Sequence, residues 1–129
     1  MRERAGAARV ARLATITPGG RPHAVPVCFV LVGETAYTAV DGKPKSTRAL
    51  QRLANVRAHP DAALLIDQYD DDWTVVWWVR IDARGRVLEP GVERDRAIAA
   101  LCDKYEQYRH DPPAGPVIAL DVVRWKAWP

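Results

Sequence analysis

The sequence predicts a mainly β protein: a small antiparallel β-barrel with helices at its ends, in the order β-β-β-α-β-β-α-β. Three observations carry that reading. Short segments rich in Val, Ile, Thr and aromatic residues recur between Gly and Pro turn signals. Most of these segments are separated by hairpin-length turns, which make antiparallel neighbours. One long stretch, Trp73 to Glu89, alternates apolar and polar residues with period two. A chain of 129 residues fits one domain, residues 1–129, around one core. Five Trp and 48% hydrophobic residues argue for a folded globule.

In chain order, Met1 to Ala8 is a short Arg- and Ala-rich helical lead-in. Arg9 to Thr17 reads as the first strand, and Pro18-Gly19-Gly20-Arg21-Pro22 as a hairpin turn. His23 to Val32 is the second strand, apolar on both faces, so both of its faces should be covered. Pro26 inside it marks an edge or a bulge. Gly33-Glu34 turns the chain into a third strand, Thr35 to Asp41. Asp41-Gly42 and Pro44 end that strand, and helical spacing runs from Ser46, a suitable N-cap, to about Ala58. Ala62 to Gln68 is a fourth strand, and Asp70-Asp71-Asp72 an acidic turn. Trp73 to Glu89 follows, with Ala83 and Gly85 permitting a bulge. A second helix spans about Val92 to Tyr108, with Lys104 on its outer face. Val117 to Trp128 closes the barrel by alternating its two faces.

The turn from Tyr37 to Arg48 carries the chemistry. A strand runs through a tight turn into a helix N-terminus, and Lys43, Lys45 and Arg48 crowd the junction beside Ser46 and Thr47. Unpaired N–H groups, the positive end of the helix dipole, cations and hydroxyls together suit a phosphate. A solvated basic turn is the alternative. The spaced glycines of a Walker loop are absent. Trp78 shares a strand face with Arg80 and Arg84, which fits a flat ligand or a subunit interface.

Other chemistries find less support. No nucleophile elbow surrounds Ser46 and Thr47. His23, His59 and His110 lack the short spacings of metal ligands, so no metal is expected. His23 reads as a structural or solvent-edge histidine rather than a general base. Cys28 and Cys102 read as reduced core thiols. A net charge of +3 is mild for a nucleic-acid binder and suits a small anionic ligand. No apolar run is long enough to span a bilayer and no signal-peptide core is present, so the expected setting is cytoplasmic, away from the membrane.

Leu13-Ala14-Thr15, Arg21-Pro22-His23-Ala24-Val25-Pro26-Val27, Lys45-x-x-Arg48 and Trp77-Trp78-Val79-Arg80 resemble the pyridoxamine-phosphate-oxidase-like split β-barrel proteins. The nearer resemblance is to their actinobacterial F420-dependent oxidoreductase branch. It extends from about Ala8 to Trp128. It implies a six-stranded antiparallel split β-barrel flanked by two helices, and a homodimer with cofactor sites at the interface. It also implies coenzyme F420, or alternatively FMN, as the cofactor, with a flat conjugated small molecule as the substrate. By position, Lys45, Ser46, Thr47 and Arg48 look like the phosphate grip. Val25, Pro26 and Val27 look like the wall under the ring. Trp78 stands where flavin-using relatives place a Gln that reaches the partner's cofactor. Lys43 and Arg52 lie near the same turn and would meet the anionic tail of F420. The Arg and Trp that hold pyridoxal phosphate in true pyridoxamine oxidases have no clear match, so that reaction is not implied. Thr15, or a bound water, is a candidate proton relay. A non-catalytic cofactor- or tetrapyrrole-binding module is the rival within the fold.

Overall fold

The computed structural model describes residues 1–40 and 47–129. Its elements are α1 (Arg2–Ala7), β1 (Ala11–Ile16), β2 (Pro22–Val27), β3 (Val30–Val32), β4 (Thr35–Ala39), α2 (Thr47–Ala58), β5 (Asp61–Gln68), β6 (Trp77–Leu88), α3 (Val92–Lys104), α4 (Glu106–His110) and β7 (Val117–Trp128). The seven strands form one antiparallel sheet in the order β2-β1-β5-β6-β7-β4-β3. β2 and β3 occupy opposite edges, yet only Cys28 and Phe29 separate them. Three Cα steps reach about 11 Å at most. The sheet must therefore curl until its edges approach, giving a barrel split along the β2–β3 seam. Leu13, Phe29, Leu64, Ile66, Ile81 and Ile118 fill it, each fully buried.

The strand count is seven, not six, because the second apolar run divides. Its first half pairs with β1 and its second with β4. At the break, side chains take over the backbone bonding. The Phe29 N–H donates to the Tyr105 hydroxyl at 3.1 Å, and the Phe29 carbonyl accepts from Lys104 Nζ at 2.8 Å. Thr38 Oγ1 donates to the Cys28 carbonyl at 2.7 Å. Cys28 is exposed, contrary to the core thiol expected of it, because Phe29 beside it points inward.

The expected second helix also divides. Tyr105 takes an extended conformation, φ −116° and ψ 118°, and sends its ring to the seam. Lys104 is thus drawn inward instead of lying on an outer face. The expected long strand begins at Trp77 because the Asp70 and Asp72 carboxylates accept the Asp72 and Thr74 backbone N–H groups, holding the turn. The bulge lies at Asp82/Ala83, and its extra residue is Val123 on β7. Gly85 serves helix packing: a Cβ there would sit 2.9 Å from Val56 Cγ1 of α2.

Two layers result. α2 covers one part of the sheet with Leu53, Asn55 and Val56. α3 covers another, packing Ala97 and Leu101 on Tyr37, Ala39, Val117 and Ala119. Residues 117–120 are accordingly buried on both faces, where alternation was expected. Arg86 ties α3 down, donating to Glu93 at 2.6 Å and to Asp121 at 2.7 Å. α1 sits against the barrel through the buried Ala5, with Arg2 over Trp125 and Arg4 over Trp77. No helix among the described residues is long and apolar enough to cross a membrane.

Candidate cofactor site

A pocket of about 210 Å³ opens beside the seam, lined by Val10, Pro26, Val27, Cys28, Arg52 and Tyr108. It brings together three residues singled out in the sequence: Pro26, Val27 and Arg52. β2 supplies the apolar wall. Arg52 comes from α2. The residue is partly buried, and among the described residues no hydrogen bond or ion pair engages it. A cation partly removed from water without a counter-charge is poised for an anion. Lys43, Lys45 and Ser46 lie outside the described residues. Thr47 and Arg48 open α2, but their side chains also lie outside them.

The other named residues fall elsewhere. Val25 pairs across from Leu13 and packs against the core rather than lining the pocket. Trp78 stands on β6, three strands from β2, between Asp67 and Trp128. The nearby Arg80 is not a free cation, because it donates to Asp82 at 2.9 Å. Thr15 is 3% exposed, and its Oγ1 accepts from Asn55 Nδ2 at 3.0 Å. Asn55 Oδ1 in turn accepts from Gln51 Nε2 at 2.7 Å. Thr15 lines a separate open groove of about 450 Å³ with Ala14, Ile16, Pro22 and Asp61. Among the described residues Asp61 is the one charged group lining that groove, and it is negative. The smaller pocket is therefore the better anion site.

Sequence reasoning missed several residues around the pocket. Cys28 lines it, and Lys104 and Tyr105 bond to the backbone of the next residue, Phe29. Burial, and then the positive charge of Arg9, push the Lys104 amine down to about 8. Burial likewise raises the Tyr105 hydroxyl. The Lys104 ammonium lies 3.8 Å from the centre of the Phe29 ring. Asn55 carried a readable signal, since it is a polar residue among the apolar Leu53 and Val56. The Cys28 cluster had none, because it depends on the break at the seam. His23 opposes Thr15 on β2, and its buried Nδ1 has no hydrogen-bond partner among the described residues. Among the described residues no three His, Cys, Asp or Glu side chains converge as a metal site.

Comparison with known proteins gives the family. The model for pyridoxamine 5′-phosphate oxidase matches residues 1–129. No curated protein sequence matches the chain. Among solved structures, a conserved hypothetical protein from Mycobacterium tuberculosis superposes with TM-score 0.75 at 17% identity, covering 94% of this chain and 77% of that one. The haem storage protein HutZ of Vibrio cholerae gives 0.72 at 16% identity, covering 93% and 84%. An FAD-binding protein of Mesorhizobium loti gives 0.66 at 20% identity, covering 95% and 84%. At these identities the superpositions establish the shared fold. The match of the family model over the full described length, on a split barrel with this strand order, places the chain in the pyridoxamine 5′-phosphate oxidase family.

Proposed function

We propose that the chain is an F420-dependent oxidoreductase acting on a flat, conjugated small molecule. The observation that carries the reading is Arg52, without a hydrogen-bond or ion-pair partner among the described residues, sharing one pocket with Pro26 and Val27 of β2. The residues present fit a phosphate-bearing tricyclic cofactor: an apolar strand for the ring and cations for the anion. Reduced F420 supplies a hydride, so the chain itself needs no strong acid. Lys45, Ser46, Thr47 and Arg48 hold the phosphate, and Lys43 and Arg52 meet the anionic tail. Pro26 and Val27 orient the ring and exclude water from one side. Thr15, tied to buried Asn55, supports the β1–α2 packing in preference to passing a proton.

A ring system needs more enclosure than one chain gives. Ligand sites run to about 300–1,000 Å³, above the 210 Å³ found here. The outer face of the sheet also leaves Ala24, Pro26, Leu65 and Trp128 exposed. Both points favour a homodimer in which Trp78 of one chain completes the partner's site. An interface of that kind buries above about 1,000 Å². Light scattering at micromolar concentration should give twice the chain mass; a monomer would contradict it.

FMN is the alternative cofactor, since a phosphate cradle accepts either one. Fluorescence titration separates them. F420 should bind more tightly than FMN, with the steeper salt dependence expected of its polyanionic tail. Lys45→Ala should weaken binding of both by about 1.5–3 kcal/mol. Replacing Lys43 and Arg52 together with Gln should erase the F420 preference and leave FMN affinity nearly unchanged. Lys126→Ala, exposed on β7, is the control; Lys104 is unsuitable because it is bonded to the seam. A wild-type protein that prefers FMN, or equal salt slopes, would overturn the F420 reading.

A further inference from the structure

Trp77 and Trp125 form an aromatic pair at a mouth of the barrel that the cofactor reading does not use. Trp125 stands opposite the buried Ile81, and Trp77 lies four residues before Ile81 on the same strand face. Each indole is pinned by its N–H edge. Trp77 Nε1 donates to Gln68 Oε1 at 3.3 Å, and Trp125 Nε1 donates to Glu34 Oε2 at 3.1 Å. The ring faces are left for α1 to cover. Arg4 Cζ lies 5.3 Å from the centre of the Trp77 ring, and Arg2 Cζ lies 5.0 Å from that of Trp125. Arg2 also pairs with the Glu34 carboxylate. Two indole faces and a carboxylate make a site for cations, and here two guanidinium groups fill it.

The cover is lightly held. Within α1 only Ala5 is fully buried. Arg2 and Arg4 fall on either side of Ala5 around the helix, so its burial aims both guanidiniums at the mouth. Among the described residues, the backbone hydrogen bonds of residues 1–8 stay within that segment. The Ala5 N–H donates to the Met1 carbonyl at 3.0 Å, and the Ala8 N–H to the Ala5 carbonyl at 3.2 Å. Both sides of the Arg2–Glu34 pair are more than half exposed, where an ion pair contributes little. The anchor comes next in the chain. Arg9 donates to the Lys104 carbonyl at 3.1 Å, and its own carbonyl accepts from Tyr105 Oη at 3.0 Å. α1 is therefore a strap tied down at Arg9 and held over the mouth chiefly by one alanine and two arginines.

We propose that the mouth formed by Trp77, Trp125 and Glu34 is an arginine-recognition site that α1 closes in cis, and that it takes an arginine-bearing peptide of another chain in place of Arg2 and Arg4. The chemistry of the occupant follows from what fills the site now: two guanidiniums, two residues apart, flanking a side chain as small as Ala5. A peptide in trans exchanges one set of cation–π contacts and one ion pair for an equivalent set. It competes with a strap tethered next to the site, whose effective concentration is on the order of millimolar. The strap thus keeps out weak ligands and yields to one with more contacts. This site is separate from the Arg52 pocket and stands whichever cofactor binds.

The test uses the full chain as wild type and as Ala5→Asp, whose new charge cannot stay buried and so lifts α1. The probes are a peptide of residues 1–8, blocked at both ends, and its twin with citrulline, a neutral isostere of arginine, at positions 2 and 4. Acrylamide quenching of tryptophan fluorescence reads the uncovered indoles, since neither peptide contains tryptophan. Ala5→Asp should be quenched more strongly than wild type, and the arginine peptide should reverse the difference saturably. The same peptide should bind wild type at least about tenfold more weakly. Glu34→Gln, added to Ala5→Asp, should weaken the peptide severalfold. Unchanged quenching in Ala5→Asp would overturn the strap. A citrulline peptide that binds as well as the arginine one would overturn arginine recognition, and failure of both to bind the opened chain would overturn the site. If Ala5→Asp does not fold, the double variant Arg2→Gln, Arg4→Gln removes the cis ligand without burying a charge and is read in the same way.

Discussion

Phe29→Ala should lower the free energy of unfolding by about 3–5 kcal/mol, the range for removing a large aromatic from a core. Phe29 is fully buried, and it is the only core side chain supplied by the two-residue seam. No neighbouring strand residue can slide in to replace it, because β2 and β3 pair away from each other. The Lys104 amine would lose the ring it lies over. Urea titration checks this, with the midpoint falling while the slope stays constant. Phe29→Leu should recover more than half of the loss. A loss below about 1 kcal/mol in Phe29→Ala would mean that the seam is not held by packing.

Asn55→Leu should cost about 2–3 kcal/mol, because it strands the Thr15 hydroxyl in the core and removes the acceptor for Gln51. Asn55 is fully buried, so water cannot substitute. Adding Thr15→Val should return a good part of that loss, since removing both partners of a buried hydrogen bond is nearly neutral. The double-mutant cycle should show coupling of about 1 kcal/mol or more. Strict additivity would show that the Asn55–Thr15 contact contributes nothing specific. Neither substitution touches the Arg52 pocket, so ligand affinity in the folded fraction should stay constant.

Much of the fold was legible because the succession of elements shows in turn signals and period-two alternation. The final strand was read with its observed limits, and the helix before His59 came within one residue. Several errors share one cause. The run His23–Val32 looks continuous because each half is apolar for its own ladder, and no single-strand pattern records a change of partner. The break that follows from it exposed Cys28, drew in Lys104 and split the second helix at Tyr105. The seam residue Phe29 lies 75 and 76 positions from Lys104 and Tyr105, so no local window joins the seam to them. At the candidate site, Pro26, Val27 and Arg52 line one pocket, while Thr15 lines another groove and Trp78 stands three strands away. Residues 117–120 deceived in the opposite direction: alternation suggested a wet face, but α3 covers it.

A barrel that is split rather than closed keeps two free strand edges, and free edges invite runaway polymerisation by strand addition. Here each edge is disarmed differently. β3 is only three residues long, too short to template a growing ladder. In β2, Pro22, Ala24 and Pro26 share one side of the strand, and a proline has no N–H to offer. Pairing with β1 is possible only if residues 23, 25 and 27 donate inward, so the outward edge keeps a single donor, at Ala24. The same two prolines that interrupt a strand pattern in the sequence thus protect against amyloid-like growth. They leave sheet faces, not sheet edges, as the surfaces through which copies of this chain can meet.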